Sequence, residues 1–202
     1  MSLGDIPADS TALEISTERL LLRRPHMTDA TALFELMREP RLSEFLAWAP
    51  HESLDETRAM ISGLLAAELA RSGFHWVVTF GGGIVGLVSL IDIRWTHRTW
   101  RVNRAELAYW IGTQFQGNGF ATEAARAVTK FGFDSLQLAK IRVYHARENV
   151  ASSRTVSRLD FRLVGVEEAA FEKNGVFHDL IHYEKLSPRI ADPLAKGGST
   201  PK

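Results

Sequence analysis

Residues 105–145 constrain the fold more than any other stretch. Ala105 to Ile111 alternates as a strand does. A turn containing Gly112, Gly117 and Gly119 follows, and Phe120, Ala124, Ala127, Val128 and Phe131 then recur at helical spacing. Ile141, Val143 and His145 alternate again. Strand, helix and strand in that order make a crossover unit, which requires its two strands to run parallel.

The remainder reads mostly as hairpins. Leu20, Leu21 and Leu22 with Arg23 and Arg24 form a first strand, ended by Pro25. Thr28 or Asp29 caps a helix with Ala30, Leu33, Phe34 and Met37 on one face, and Pro40 stops it. Residues 41–52 read as a loop carrying Phe45, Trp48 and Pro50. Ser53 or Asp55 caps a second helix that Gly73 closes. Residues 74–80 and 84–93 pair across Gly81-Gly82-Gly83, and Gly86 marks a bulge or a close backbone approach. Residues 150–160 form a short helix, and 161–172 pairs with 176–186 across Lys173-Asn174-Gly175. The expectation is a mixed α/β fold: a central, mostly antiparallel twisted sheet of about seven strands with four flanking helices. No linker or internal repeat divides residues 16–187, so they read as one domain between tails at 1–15 and 188–202.

An apolar fraction of 45% over 202 residues is enough to fill the core of such a domain. The 24 basic and 24 acidic residues cancel, so there is no bulk pull toward nucleic acid or an anionic membrane. A polyanionic ligand would need a local site. The absence of cysteine excludes disulfides, thiolate–zinc sites and a cysteine nucleophile. No apolar run approaches the roughly 20 residues of a membrane span, and the first residues lack the pattern of a signal peptide. The expectation is a cytoplasmic protein with no metal, no membrane partner and no specific nucleic-acid partner. His178 and His182, four apart on a strand, stand ~13 Å apart, too far to share one ion. Arg94 to Arg101 reads as a solvated hairpin loop; a grip on RNA or an acidic peptide is the alternative.

The stretch from Gln114 to Ala124 carries the most chemistry. Gly117 and Gly119 let the backbone come close to a ligand. The free amides of the first helical turn, at Phe120, Ala121 and Thr122, point outward, and the helix dipole adds partial positive charge. This suits a pyrophosphate with no basic side chain needed. A ligand-free turn is the other reading of the same glycines. The spacing is neither that of a dinucleotide-binding fingerprint nor that of a Walker A loop.

Gln114-x-x-Gly117-x-Gly119 resembles the Q/R-x-x-G-x-G/A acetyl-CoA loop of the GNAT superfamily of N-acetyltransferases. The preceding run Ala105-Glu-Leu-Ala-Tyr-Trp-Ile111 is similar to the A-E-I-G-Y-W-L strand of its ribosomal-protein N-terminal (Rim-type) branch. The run from Glu148 to Phe161 is similar to that branch's E-N-x-A-S-x-R-V-x-E-K-x-G-F helix. The three blocks agree in order and spacing, and the resemblance covers roughly residues 16–187. The departures are Ala108 and Asp160 where the branch has Gly, and Val156 where other branches place a proton-donating Tyr.

The resemblance implies transfer of acetyl from acetyl-CoA to a primary amine, without a metal. It makes Glu106 the general base, acting through water, and Ser152 the group nearest the departing thiolate. The backbone of Tyr109, Trp110 and Ile111 would meet the pantetheine. Gln116, Gly117, Asn118, Gly119, Phe120, Ala121 and Thr122 would cradle the pyrophosphate, Asn149 would contact the pantetheine or thioester, and Arg154 a phosphate. Phe45 and Trp48 would border the acceptor. Plainer readings stand beside these. Glu106 also suits an ion pair with Arg104 or Arg142, Asn149 a helix cap, Arg154 a solvated surface, and Phe45 and Trp48 the core. The branch favours a protein N-terminal α-amine as acceptor and contains both dimers and monomers. A small-molecule amine acceptor and a non-catalytic acyl-CoA-binding module are the alternatives.

Overall fold

The structure, a computed structural model, describes residues 13–191. Most of both expected tails therefore lies outside the described residues. The strands are β1 (Ile15–Ser16), β2 (Leu21–Arg23), β3 (Phe74–Phe80), β4 (Gly83–His97), β5 (Trp100–Ile111), β6 (Lys140–Ala146), β7 (Arg162–Lys173) and β8 (Val176–Leu186). The helices are α1 (Ala30–Met37), α2 (Pro40–Ser43), α3 (Leu54–Leu69), α4 (Phe120–Asp134), α5 (Val150–Ser157) and α6 (Pro188–Ala191). All eight strands form one sheet in the order β1-β2-β3-β4-β5-β6-β8-β7. Only β5 and β6 run parallel among the described residues, joined by the α4 crossover. The strand beyond the expected seven is β1, two residues that extend the edge at β2. The helices beyond the expected four are the single turns α2 and α6.

Local chemistry explains most boundaries. Ser53 caps α3, its side chain accepting from the Glu56 N–H at 3.3 Å. Gly81 and Gly82, and Asn174 and Gly175, take positive φ in pairs, as tight two-residue hairpins require. Pro40, expected only to stop α1, also starts α2, because a proline is favourable in the first helical turn. Gly73 does not close α3 in the left-handed conformation. Arg71 takes that role at φ 54°, and a Cβ at Gly73 would stand 2.8 Å from His75 Nε2. At Gly86 the close approach is the observed feature: a Cβ there would lie 2.3 Å from the Trp110 carbonyl oxygen. The register shift falls opposite it, between Val78 and Thr79.

The sheet is covered on both faces. Trp76, Leu90, Leu107, Ile141 and Val128 pack on one side with α4 and α5. Val77, Leu87 and Trp110 pack on the other with Leu33 of α1 and Ile61 of α3. Fully burying each such side chain contributes about 1.5–3 kcal/mol. Alternation along β5 sends Leu107, Tyr109 and Ile111 to the α4–α5 face and Glu106, Ala108 and Trp110 to the α1–α3 face.

One departure from regularity builds the site. β5 pairs with β6 only from Arg104↔Lys140 to Glu106↔Arg142. Beyond that, β5 follows β4 to Ile111 and β6 follows β8 to Ala146. The two parallel strands splay apart, and a slot opens through the sheet.

Candidate active site

The slot widens into a cavity of about 1120 Å³ lined by the glycine loop, the end of β5, the end of β6, the start of α5 and the 45–49 loop. Along its β6 side, residues 107–111 of β5 have no ladder partner, so their backbone groups are open to an extended ligand arm.

The glycine loop has the shape that an anion cradle needs. Gly117 and Gly119 sit at φ 81° and 78°, and Gly119 is the N-cap of α4. The first backbone bond of α4 runs from Glu123 N–H to the Gly119 carbonyl at 3.1 Å. The amides of Phe120, Ala121 and Thr122 precede it and are left without intrahelical partners. Side chains brace the loop from behind. Gln116 Nε2 donates to the Ile111 carbonyl at 3.0 Å, and Asn118 Nδ2 donates to the Phe115 and Gln116 carbonyls. Gln116 still lines the cavity, whereas the Asn118 side chain turns back into the loop and does not. Arg19, which sequence reasoning missed, fixes the loop from outside. It donates to the Asn118 carbonyl at 3.0 Å, pairs with Glu123, and lies over the Phe120 ring. Its partners are about 100 residues away in the chain, and no local pattern announces them.

Glu106 lies on the α1–α3 side of the slot, half-buried. Burial raises its carboxyl above the ordinary range, while the Tyr144 hydroxyl and the Arg142 guanidinium pull it back down. Arg142 thus acts on Glu106 through its charge and not as the expected close ion pair, and Glu106 lines the cavity as well.

Ser152 lies on the α4–α5 side. Its Oγ is 2.8 Å from the Tyr109 hydroxyl. Burial pushes the Tyr109 phenol up to about 12, so it stays protonated and can donate. Tyr109 was expected only through its backbone; its side chain is a component that the spacing of motifs does not reveal. Val156, the position matching the proton-donating Tyr of other branches, is fully buried in the core.

Asn149 caps α5, its Oδ1 accepting from Ser152 N–H at 2.9 Å. The capping reading is therefore realised, and Asn149 lines the cavity too. Arg154 lines the same wall, together with Arg158. Phe45 and Trp48 both reach the cavity, with Trp48 edge-on to Trp110 at 6.2 Å between ring centres. A second unanticipated residue holds their loop. The Lys173 ammonium donates to the carbonyls of Ser43, Leu46 (2.6 Å) and Trp48 (3.0 Å).

Among the described residues, no group of three or more His, Asp or Glu side chains is placed to hold a metal ion. His178 and His182 pair separately with Glu148 and Glu167. No helix among the described residues is long and apolar enough to cross a membrane. The free amides, the left-handed glycines and the unpaired strand edge fit a ligand in which an extended arm leads to a pyrophosphate, as the pantetheine of acetyl-CoA does.

Comparison with known proteins agrees with this geometry. Residues 19–162 match the acetyltransferase (GNAT) domain family. The Bacillus subtilis protein YdaF, which carries the provisional name of a ribosomal N-acetyltransferase, is 29% identical over 174 residues, covering 84% of this chain and 92% of YdaF. The spermidine N(1)-acetyltransferase of Escherichia coli is 33% identical over 107 residues, 53% of this chain and 55% of that one. The solved structure of RimL, the ribosomal L7/L12 α-N-protein acetyltransferase in complex with coenzyme A, superposes with a TM-score of 0.80 at 23% identity, over 89% of this chain and 99% of that one. The chain belongs to the acetyltransferase (GNAT) domain family and is an acetyl-CoA-dependent N-acetyltransferase.

Proposed function

We propose that the enzyme acetylates the α-amine at the N-terminus of a peptide or protein, with Glu106 as general base and Ser152 as the proton donor to the leaving thiolate. The observation that carries this reading is the placement of the two groups on opposite faces of one slot. Bound acetyl-CoA supplies an acyl group already activated as a thioester. The protein then has three tasks. Glu106 accepts the proton that the ammonium must lose, directly or through one water. A strand amide of the unpaired β5 edge donates to the thioester oxygen as charge develops. As the C–N bond forms and the C–S bond breaks, the Ser152 hydroxyl, held by its hydrogen bond with the Tyr109 hydroxyl, gives its proton to sulfur; the second proton that nitrogen sheds on becoming an amide leaves to solvent, and solvent restores the proton on Ser152.

The spermidine acetyltransferase among the relatives favours a small polyamine as the second reading. Titration calorimetry with acetyl-CoA, followed by thiol release against peptide and small-amine panels, tests both. Glu106→Gln is expected to lower kcat by about 10²–10⁴, the usual size of a general-base contribution, and to leave acetyl-CoA affinity unchanged. An unaltered kcat removes Glu106 from the mechanism.

A further inference from the structure

Resting on the acetyl-transfer reading above, we infer that the acceptor is a primary amine with a large apolar, preferably aromatic, group beside the nitrogen, rather than a polyamine or a serine-led N-terminus. The inference comes from how the acceptor side is built. On the α1–α3 face of the sheet, Glu106 and Trp110 stand four residues apart on β5 with only Ala108 between them. Same-face neighbours on a strand are roughly 6–7 Å apart. The small Ala108 side chain therefore leaves open floor one short side chain's reach from the carboxylate.

The walls around that floor are rings. Trp48 meets Trp110 edge-on. Phe45 and Phe171 flank the His178 imidazole from two sides, at 6.2 and 5.0 Å. Tyr144 stands beside Glu106, and all of these but His178 line the cavity. The charges are few. Arg142 acts on Glu106 without lining the cavity, and Lys173, the cation in the wall at this end, spends its three protons on the Ser43, Leu46 and Trp48 carbonyls. That clasp ties the Phe45–Trp48 loop to the β7–β8 hairpin, so the aromatic walls are held together rather than left to close on arrival of a ligand. Glu172 is the second carboxylate, and it sits exposed at the rim.

Such a site offers one buried anion for one ammonium and apolar surface for what adjoins it. A serine hydroxymethyl group finds few polar partners against these walls and forgoes the apolar contact of a ring. A polyamine would have to lay its further ammonium groups along aromatic walls, and the further carboxylates near this end, Glu172 and Asp92, are both exposed.

The test is a comparison of kcat/KM for thiol release with the full-length enzyme. The acceptors are phenylalanine-led and serine-led peptides otherwise identical, free 2-phenylethylamine, and spermidine. The phenylalanine-led peptide or 2-phenylethylamine should exceed the serine-led peptide and spermidine by at least 10-fold, and the better of the two identifies the source as peptide or free amine. Ala108→Leu, which fills the floor, should abolish that preference. Trp48→Ala should erode it in the same direction and serves if Ala108→Leu fails to fold. A turning-over enzyme that prefers the serine-led peptide or spermidine overturns the inference and leaves acetyl transfer intact. Binding of acetyl-CoA with no turnover of any amine overturns the transfer reading itself.

Discussion

Glu106 is held between opposing influences, and their balance should be visible in the pH dependence of the reaction. Burial disfavours its charged form, whereas Tyr144 and Arg142 favour it. If Glu106 is the general base, as proposed, it works as the carboxylate, and kcat/KM should rise with pH through the raised pKa. Removing a group that lowers this pKa moves the rise further up. Tyr144→Phe is therefore expected to displace the acid limb of the profile to higher pH, with the same acceptor used throughout so that the acceptor's own titration cancels. A limb that stays in place would mean that another group is the base. At this scale the sequence offers candidate acids and bases but not what surrounds them. Glu106 stood out through its motif, whereas the Tyr144 that tunes it comes from a different strand. The Tyr109–Ser152 bond joins residues 43 apart, and the Lys173 clasp spans about 130. Contacts of this kind are products of packing, and no local spacing encodes them.

Elements were the most legible level, because periodicity and turn chemistry act locally. The hairpin turns at Gly81-Gly82 and Asn174-Gly175, the Ser53 cap and the α4 crossover all follow from residues within a few positions of one another. The misplacements are equally local in cause. Gly73 was expected to be left-handed, yet it is small because His75 Nε2 crowds it, and Arg71 takes the turn instead. Asp160 is the converse case. It stands just past α5 at φ 56°, where an L-residue is strained and glycine is not. The chain end of α5 is already served by Lys185, which donates to the Leu159 carbonyl at 2.7 Å. The Asp160 carboxylate meets Lys185 only at 3.8 Å and is almost fully exposed, so that pair contributes little. Asp160→Gly is therefore expected to stabilise the protein by roughly 0.5–1 kcal/mol and raise Tm by about 2 °C, with acetyl-CoA affinity unaltered. A lower Tm would show that the carboxylate contributes more than its geometry implies.

For the molecule as a whole, the pairings inside the hairpins and across the one crossover follow from the sequence, but the docking of β8 rather than β7 beside β6 and the splay that makes the site do not. The splay depends on β5–β6 pairing stopping at Glu106↔Arg142 while β5 continues along β4 and β6 along β8, a matter of long-range pairing that no local pattern encodes. The same sheet contains a pH-dependent weak point far from the slot. His75 of β3 is buried, its Nδ1 2.9 Å from Ser89 Oγ on β4 and its Nε2 without a partner. Burial pushes its pKa down to about 4 from the ordinary 6.5. Between those values the unfolded chain binds a proton at this position that the folded chain refuses, so stability falls as pH falls from 6.5 toward 4. The full shift corresponds to a loss on the order of 3 kcal/mol. The depressed carboxylates act in a lower window. Asp29, which burial alone would raise, is held down by Arg23 and the His26 N–H, and Glu184 by Lys140 and Arg162. Their contribution is complete above the unfolded carboxylate range near pH 4 and is lost only below it. The two windows separate the causes. Urea unfolding midpoints should decline steadily between pH 6.5 and 4 in the native chain. In His75→Gln, which keeps a hydrogen-bonding side chain facing Ser89 but cannot take up a proton there, the midpoints should decline much less over that range, the remaining slope coming from His51, whose pKa burial also lowers, and should fall more steeply only below it. Parallel declines in both proteins would place the acid sensitivity elsewhere in the fold.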